Sequence, residues 1–198
     1  EYLKGNFSGE EEVLDETAAM EEYFFLGLRK MQGVNWVPYQ KQYEKTVKKL
    51  TAEKLIENVL QLDVSHTHAF IMVDVDNFKS LNDSYGHLFG DQVLLHLSEL
   101  LKSSFGETEI IGRMGGDEFV IFIPRVNRHG ELLQMGTKLS EQLSSRRIDG
   151  VSVNCSMGIA VAPKDGSNFV KLYKNADKAL YMAKSLGKNR CCIYRNDL

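Results

Sequence analysis

The sequence predicts an α+β or mixed α/β domain, a sheet with helices packed on its faces, and three observations point there. From residue 60 onward, short apolar runs alternate with segments of helical spacing in the order β-α-β-β-α-β-α-β. Two of those runs are joined only by a glycine turn, which marks a hairpin. Of the 198 residues, 43% are hydrophobic and 26% charged, enough to bury the core of one good-sized domain and too apolar for a disordered chain.

The first stretch is acidic and then amphipathic. Met20, Tyr23, Phe24 and Met31 recur at helical spacing from Glu16 to Gln32, and Gly33 stops the pattern. After Pro38 a second stripe runs through Tyr39, Tyr43, Val47 and Leu50 and continues at Leu55, Ile56 and Val59, with lysines on a solvated opposite face. The texture changes after Asp63. "AFIMVDVDNF" reads as a buried strand and "GDQVLLHLSELLKSSF" as a helix. "TEIIGRMGGDEFVIFIP" is strand, two-glycine turn and strand, closed by Pro124. "GELLQMGTKLSEQLSS" is helical, "VSVNCSMGIAVAP" alternates like a strand, "SNFVKLYKNADKALYMAKSLG" is a helix ended by Gly187, and "CCIYR" is a short last strand.

The net charge of -3 gives no general reason to expect nucleic acid or an anionic membrane. Cys155, Cys191 and Cys192 are an odd number with two adjacent, a poor disulfide framework that fits a reducing cytosol. Cys191 and Cys192 read as packing residues, and His66 and His68 as loop residues. With no membrane-length apolar run and no signal-peptide pattern, a cytoplasmic location is expected.

The chemistry concentrates in a few places. In a strand, Val73 and Val75 face one way and Asp74 and Asp76 the other. Carboxylates on an apolar strand cost desolvation unless a cation or a donor compensates them. The plain alternative is a strand-end Asp that caps the next helix. Gly115-Gly116 suits a two-residue turn, and Asp117 and Glu118 follow it directly. Because neighbours on a strand face opposite ways, only one of those two is expected to share a site with Asp74. Asp74 and Asp117 together would suit Mg²⁺, which prefers hard oxygen ligands and a phosphate-bearing substrate. "DNFKSLNDSYGHLFGD" offers Lys79, Asn82, His87 and Asp91 in a helix-turn-helix-like stretch with Gly86 and Gly90 as breakers. An Asn and an Asp are able to read a guanine edge. Lys184 and Lys188 lie four apart at a helix end, suited to phosphates or simply to the helix dipole.

"VDVDNFKSLNDSYGHLFGDQVL", "GRMGGDEFVIF", "SMGIAVAP" and "ADKALYMAKSLGKNR" stand in the order and spacing of the GGDEF domain, and the chain resembles diguanylate cyclases from about Leu55 to Arg195. The resemblance implies a mostly antiparallel, adenylate-cyclase- and polymerase-palm-like sheet flanked by helices, and the helical spacing upstream adds an N-terminal extension that reads as a foreign or fused piece rather than part of the family's pattern. Residues 1–50 would be that extension and 51–198 the GGDEF domain. It implies condensation of two GTP into cyclic di-GMP with loss of two pyrophosphates, aided by Mg²⁺ or Mn²⁺, across a homodimer of half-sites. Asp74, Asp117 and the Val75 carbonyl would bind metal. Asp117, Glu118 and Lys79 would be catalytic, and Asn82, His87, Asp91, Lys184 and Lys188 would contact substrate. The alternative is a weak or inactive module that binds GTP for regulation or dimerisation.

Three departures accompany the resemblance. The family's product-inhibition motif, Arg-x-x-Asp, is Gly106-Glu-Thr-Glu109 here, so no product-inhibition site is expected. The usual opening Asp-x-Leu-Thr-Gly-Leu-x-Asn-Arg is replaced by "KKLTAEKLIENVLQ". "MEEYFFLGLRKMQGV" is similar to the C-terminal region of oxygen-independent coproporphyrinogen III oxidase-like radical SAM proteins, without their cluster cysteines.

Overall fold

A computed structural model describes residues 41–106, 108–126 and 129–195. The helix expected over Glu16–Gln32, and most of the N-terminal extension, lie outside these residues. The fold below belongs to the unit Lys48–Leu198.

Helix α1 (Lys41–Leu62) leads into strand β1 (His68–Val75). Helices α2 (Phe78–Tyr85) and α3 (His87–Ser104) follow, then the hairpin β2 (Ile110–Gly115) and β3 (Glu118–Ile123). Helix α4 (His129–Ser145), strand β4 (Cys155–Ala162), helix α5 (Phe169–Ser185) and strand β5 (Cys191–Ile193) complete the order. The helix-turn-helix-like stretch expected after β1 is two helices broken at Gly86, while Gly90, the other expected breaker, lies inside α3 and breaks nothing.

The sheet order is β2-β3-β1-β4-β5. Strand β1 is antiparallel to both neighbours, β2 and β3 form the antiparallel hairpin, and only β4–β5 is parallel. All eight residues of β1 are buried, as its apolar run on both faces demands of a central strand covered on two sides. The alternation sorts them. Ala69, Ile71, Val73 and Val75 join a core completed by α3 and α4, while Phe70 and Met72 join one completed by α1 and α5.

Helix α1 buries Ala52, Ile56 and Leu60, so its inner face sits one step from the expected Leu55–Ile56–Val59 stripe, and Leu55 is exposed. Helix α5 packs unusually close to the sheet. A Cβ on Gly158 of β4 would stand 2.1 Å from the Ala176 carbonyl oxygen, and the same face of β4 carries only the small residues Ser156, Ala160 and Ala162 besides. The start of α5 is secured twice: the Asn168 side chain accepts the Lys171 N–H (2.9 Å), and Glu57 of α1 accepts the Phe169 N–H (2.8 Å). That close seat fixes where the far end of α5, with Lys184, meets the end of β1.

No described helix is long and apolar enough to cross a membrane. The three cysteines are free thiols. Cys191 packs against Gly136 and the core, and burial pushes its thiol up to about 12, as it does for Cys155.

Candidate active site

Asp74 ends the apolar run of β1 on the face covered by α5. Its direct cross-strand partner is Glu118, in register with Met72↔Val120 and Phe70↔Phe122. Opposed residues of an antiparallel pair project to the same face, so Glu118 shares that of Asp74. The tight turn is Gly116-Asp117, one residue later than the glycine pair suggests. Gly115 pairs with Glu118, and Gly116 takes the left-handed backbone (φ 53°) that the turn requires. The side chain of Arg113 clamps the turn, donating from Nε (2.9 Å) and Nη2 (2.7 Å) to the Gly116 carbonyl.

This shift corrects the expectation that only one of Asp117 and Glu118 shares a site with Asp74. Asp117 sits in the turn and escapes strand alternation, so both carboxylates act on Asp74. Burial first, and then the negative charges of Asp117 and Glu118, raise the Asp74 carboxyl above its ordinary value. Lys184 opposes them, its Nζ 2.8 Å from Asp74 Oδ1.

Asp74 and Asp76 do not act as a pair. Asp76 lies just past β1 and is buried, accepting Ser156 Oγ–H (2.7 Å) and the Asn189 N–H (2.8 Å). Lys188 is also displaced from its expected place. Helix α5 stops at Ser185, and Lys188 stands in a left-handed loop (φ 62°), its Nζ donating to Asn77 Oδ1 (2.5 Å).

The remaining residues gather on α2 and α3, helices of the other sheet face. Lys79 is exposed in the first turn of α2, His87 is the exposed first residue of α3, and Asp91 is exposed one turn further on. Asn82 presses against Gly90, where an added Cβ would meet its Oδ1 at 1.9 Å. That Oδ1 is buried with no hydrogen-bond partner, a costly state that a ligand's N–H would relieve. A groove of about 410 Å³ runs along the outer side of α5 from Glu118 and Lys184 past Tyr181 to Tyr194 and Arg195. It is separate from Asn82 and Asp91.

Among the described residues no three His, Cys, Asp or Glu side chains converge to hold a metal by themselves. The donors that fit one are the hard oxygens at the end of β1. Two carboxylates with further oxygens from backbone and substrate are what Mg²⁺ ordinarily takes. The charge crowding on Asp74 is the kind a divalent cation relieves. Arg113 carries no signal in the sequence, and Asp76, read there as sharing a face with Asp74, is bound by Ser156 and Asn189 instead. The signal for Asp76 was present, a second acid on an apolar run, but its partners come from distant segments.

The chain matches the family model "Diguanylate cyclase, GGDEF domain" over residues 46–190. It is 32% identical over 149 residues (74% of this chain, 22% of the relative) to "Cyclic di-GMP phosphodiesterase PdeR" of Escherichia coli strain K12. It is 35% identical over 131 residues (63% of this chain, 39% of the relative) to "Diguanylate cyclase" of Vibrio cholerae serotype O1. It thus spans well under half the length of either relative. Among solved structures, the active GGEEF domain of a diguanylate cyclase from Vibrio cholerae superposes with a TM-score of 0.69 at 26% identity, covering 75% of this chain and 97% of that one. The resemblance of residues 1–50 to radical SAM proteins finds no support in these matches.

Proposed function

The chain belongs to the GGDEF family of diguanylate cyclase domains, and from that premise we propose that it is a diguanylate cyclase, condensing two GTP into cyclic di-GMP in the cytoplasm. The observation that carries the reading is the buried, charge-crowded Asp74 beside Asp117 and Glu118. A carboxylate held at such a cost is characteristic of a site that waits for a cation. Asp74, Asp117 and the Val75 carbonyl would hold Mg²⁺ or Mn²⁺. Bound there, the metal would neutralise charge building on the phosphate oxygens.

The chain's own groups do the rest. The orphaned Asn82 Oδ1 and the Asp91 carboxylate would accept from the guanine N–H groups, and His87 would make a further substrate contact. Lys184 and Lys188 would contact phosphates, Lys184 exchanging its bond to Asp74 for a phosphate once a metal compensates that carboxylate. Asp117 would take the proton of the attacking 3′-hydroxyl, with Glu118 as its acidic companion. The new bond joins that oxygen to the α-phosphorus of the second GTP, and the bond from α-phosphorus to the bridging oxygen breaks to release pyrophosphate. Lys79 would steady the charge that develops. Each chain holds one GTP, so a homodimer facing its two half-sites together completes the product. The division near residue 50 into an extension and a GGDEF domain goes with this reading.

One observation favours the second reading, a module that binds GTP without turnover: Lys184 already neutralises Asp74. Incubation with GTP and Mg²⁺ or Mn²⁺, with chromatography for cyclic di-GMP, separates the two. Product from the natural chain and none from Asp117→Ala supports the cyclase; GTP binding without product at dimer-forming concentration supports the module. Glu109 Oε2 accepts the N–H of Gly106 (2.8 Å), closing on its own loop where the product-inhibition motif would stand. We therefore expect added cyclic di-GMP to leave the rate unchanged, and tight binding at a second site would contradict this.

A further inference from the structure

Asp76 is two residues from Asp74 in sequence and does something else. Its Oδ1 accepts Ser156 Oγ–H at 2.7 Å from β4, its Oδ2 accepts the Asn189 N–H at 2.8 Å, and its own N–H donates to the Asn154 carbonyl at 2.9 Å. The carboxylate is buried, with both oxygens turned to donors of the protein.

The segment it grips is strained. Gly187, Lys188 and Asn189 take φ of 111°, 62° and 47° in succession, and the last two are not glycine. Left-handed backbone outside glycine persists only where the surroundings over-determine it. Here they do. The Asn189 side chain accepts Ser140 Oγ–H at 2.6 Å from α4, and the Arg190 carbonyl accepts the Met157 N–H at 2.9 Å. The result is that Lys188 is turned back toward the end of β1, where it donates to Asn77, itself left-handed at φ 58°. Gly187 makes the usual glycine exit, with the Lys188 N–H on the Ala183 carbonyl (3.0 Å), and the two left-handed residues after it turn the chain back to the sheet.

We propose that Asp76 is a positioning residue that locks the Gly187–Asn189 loop in its left-handed course and so aims Lys188 at the nucleotide's phosphates; the phosphate part rests on the reading above. Asp76 acts through the Asn189 N–H and touches neither substrate nor metal. Ser156 holds the carboxylate in line, and Ser140 anchors the loop from the other side.

Three measurements on the full chain test it. Amide hydrogen exchange without nucleotide reads the lock directly. Asp76→Asn should exchange the Asn189 amide at least about tenfold faster, the scale of one lost charge-assisted hydrogen bond, with the middle of α5 unchanged. Calorimetry with GTP and Mg²⁺ should show affinity weakened about tenfold in Asp76→Asn, and Asp76→Asn/Lys188→Ala no weaker than Lys188→Ala alone. Mn²⁺ affinity without nucleotide should stay as in the natural chain. Should Asp76→Asn fail to fold, Ser156→Ala decides, with the same directions at smaller size. Asn189 exchange at the natural rate, full additivity of the two substitutions, or a parallel loss of Mn²⁺ affinity would overturn the proposal. GTP binding without any cyclic di-GMP would defeat the cyclase reading alone and leave this one standing.

Discussion

Asp63, before β1, and Asp74, near its end, meet opposite electrostatic fates. Asp63 accepts from Arg125 Nε (2.6 Å) and contacts His66 Nδ1, and these partners hold its carboxyl down at about 2. Beside it, buried His68 accepts the Arg125 N–H at Nδ1, so its ring proton sits on Nε2 and goes to the Asp63 carbonyl (2.7 Å). His68 is therefore the first residue of the strand rather than part of a loop. Asp74 instead has burial and two more carboxylates pushing its carboxyl up, against one lysine. Both clusters tie distant segments together, but only one leaves charge uncompensated. A satisfied cluster stabilises the fold, whereas carboxylates left uncompensated mark a candidate site for a cation.

The sharpest way to break this contrast is to neutralise each acid and follow cyclic di-GMP. We expect Asp74→Asn to lose at least about a hundredfold in product formation and Asp63→Asn to stay within about twofold, since only the former touches the charge to be stabilised. Equal losses would erase the distinction. A second, smaller effect concerns Asn82, the other unsatisfied group. Asn82→Ala should weaken GTP binding about tenfold without lowering the melting temperature, because the lost amide oxygen had no partner to lose. A lower melting temperature with unchanged GTP affinity would make Asn82 a packing residue.

The smallest effects are in stability against pH, where the signs are opposite. Asp63 has a folded pKa of about 2 against 3.8 for the free group, so its contribution is present above 3.8 and lost as pH falls toward 2. Asp63→Asn should flatten that acid limb in urea melts and lower stability at neutral pH. Asp74, raised above 3.8, contributes fully below 3.8 and loses that contribution as pH rises through its folded value. Asp74→Asn should remove the loss and melt no lower than the natural chain at neutral pH. A less stable Asp74→Asn would mean that the Lys184 pair outweighs the desolvation.

Much of this was legible in the sequence, for identifiable reasons. Periods of two and 3.6 locate β1, the hairpin and α5, because burial on a strand or helix face leaves a local pattern. Gly116 was legible as part of a turn, but the turn's register was not. Which two residues form it depends on the pairing of Gly115 with Glu118 and on the bulge after Arg113. The Asp76 lock was hidden for a similar reason. Its partners are Ser156 and Asn189, 80 and 113 residues away.

The sequence by itself determined the fold class, the family and the residue types at the end of β1, since these rest on local periodicity and on motifs in order. Only the tertiary structure decided that Glu118 faces Asp74, that Asp117 joins them from the turn, that Lys184 neutralises Asp74 and that Asp76 serves the Lys188 loop. Those outcomes follow from strand register and from the close seat of α5 on Gly158, and neither is written in any single stretch of chain.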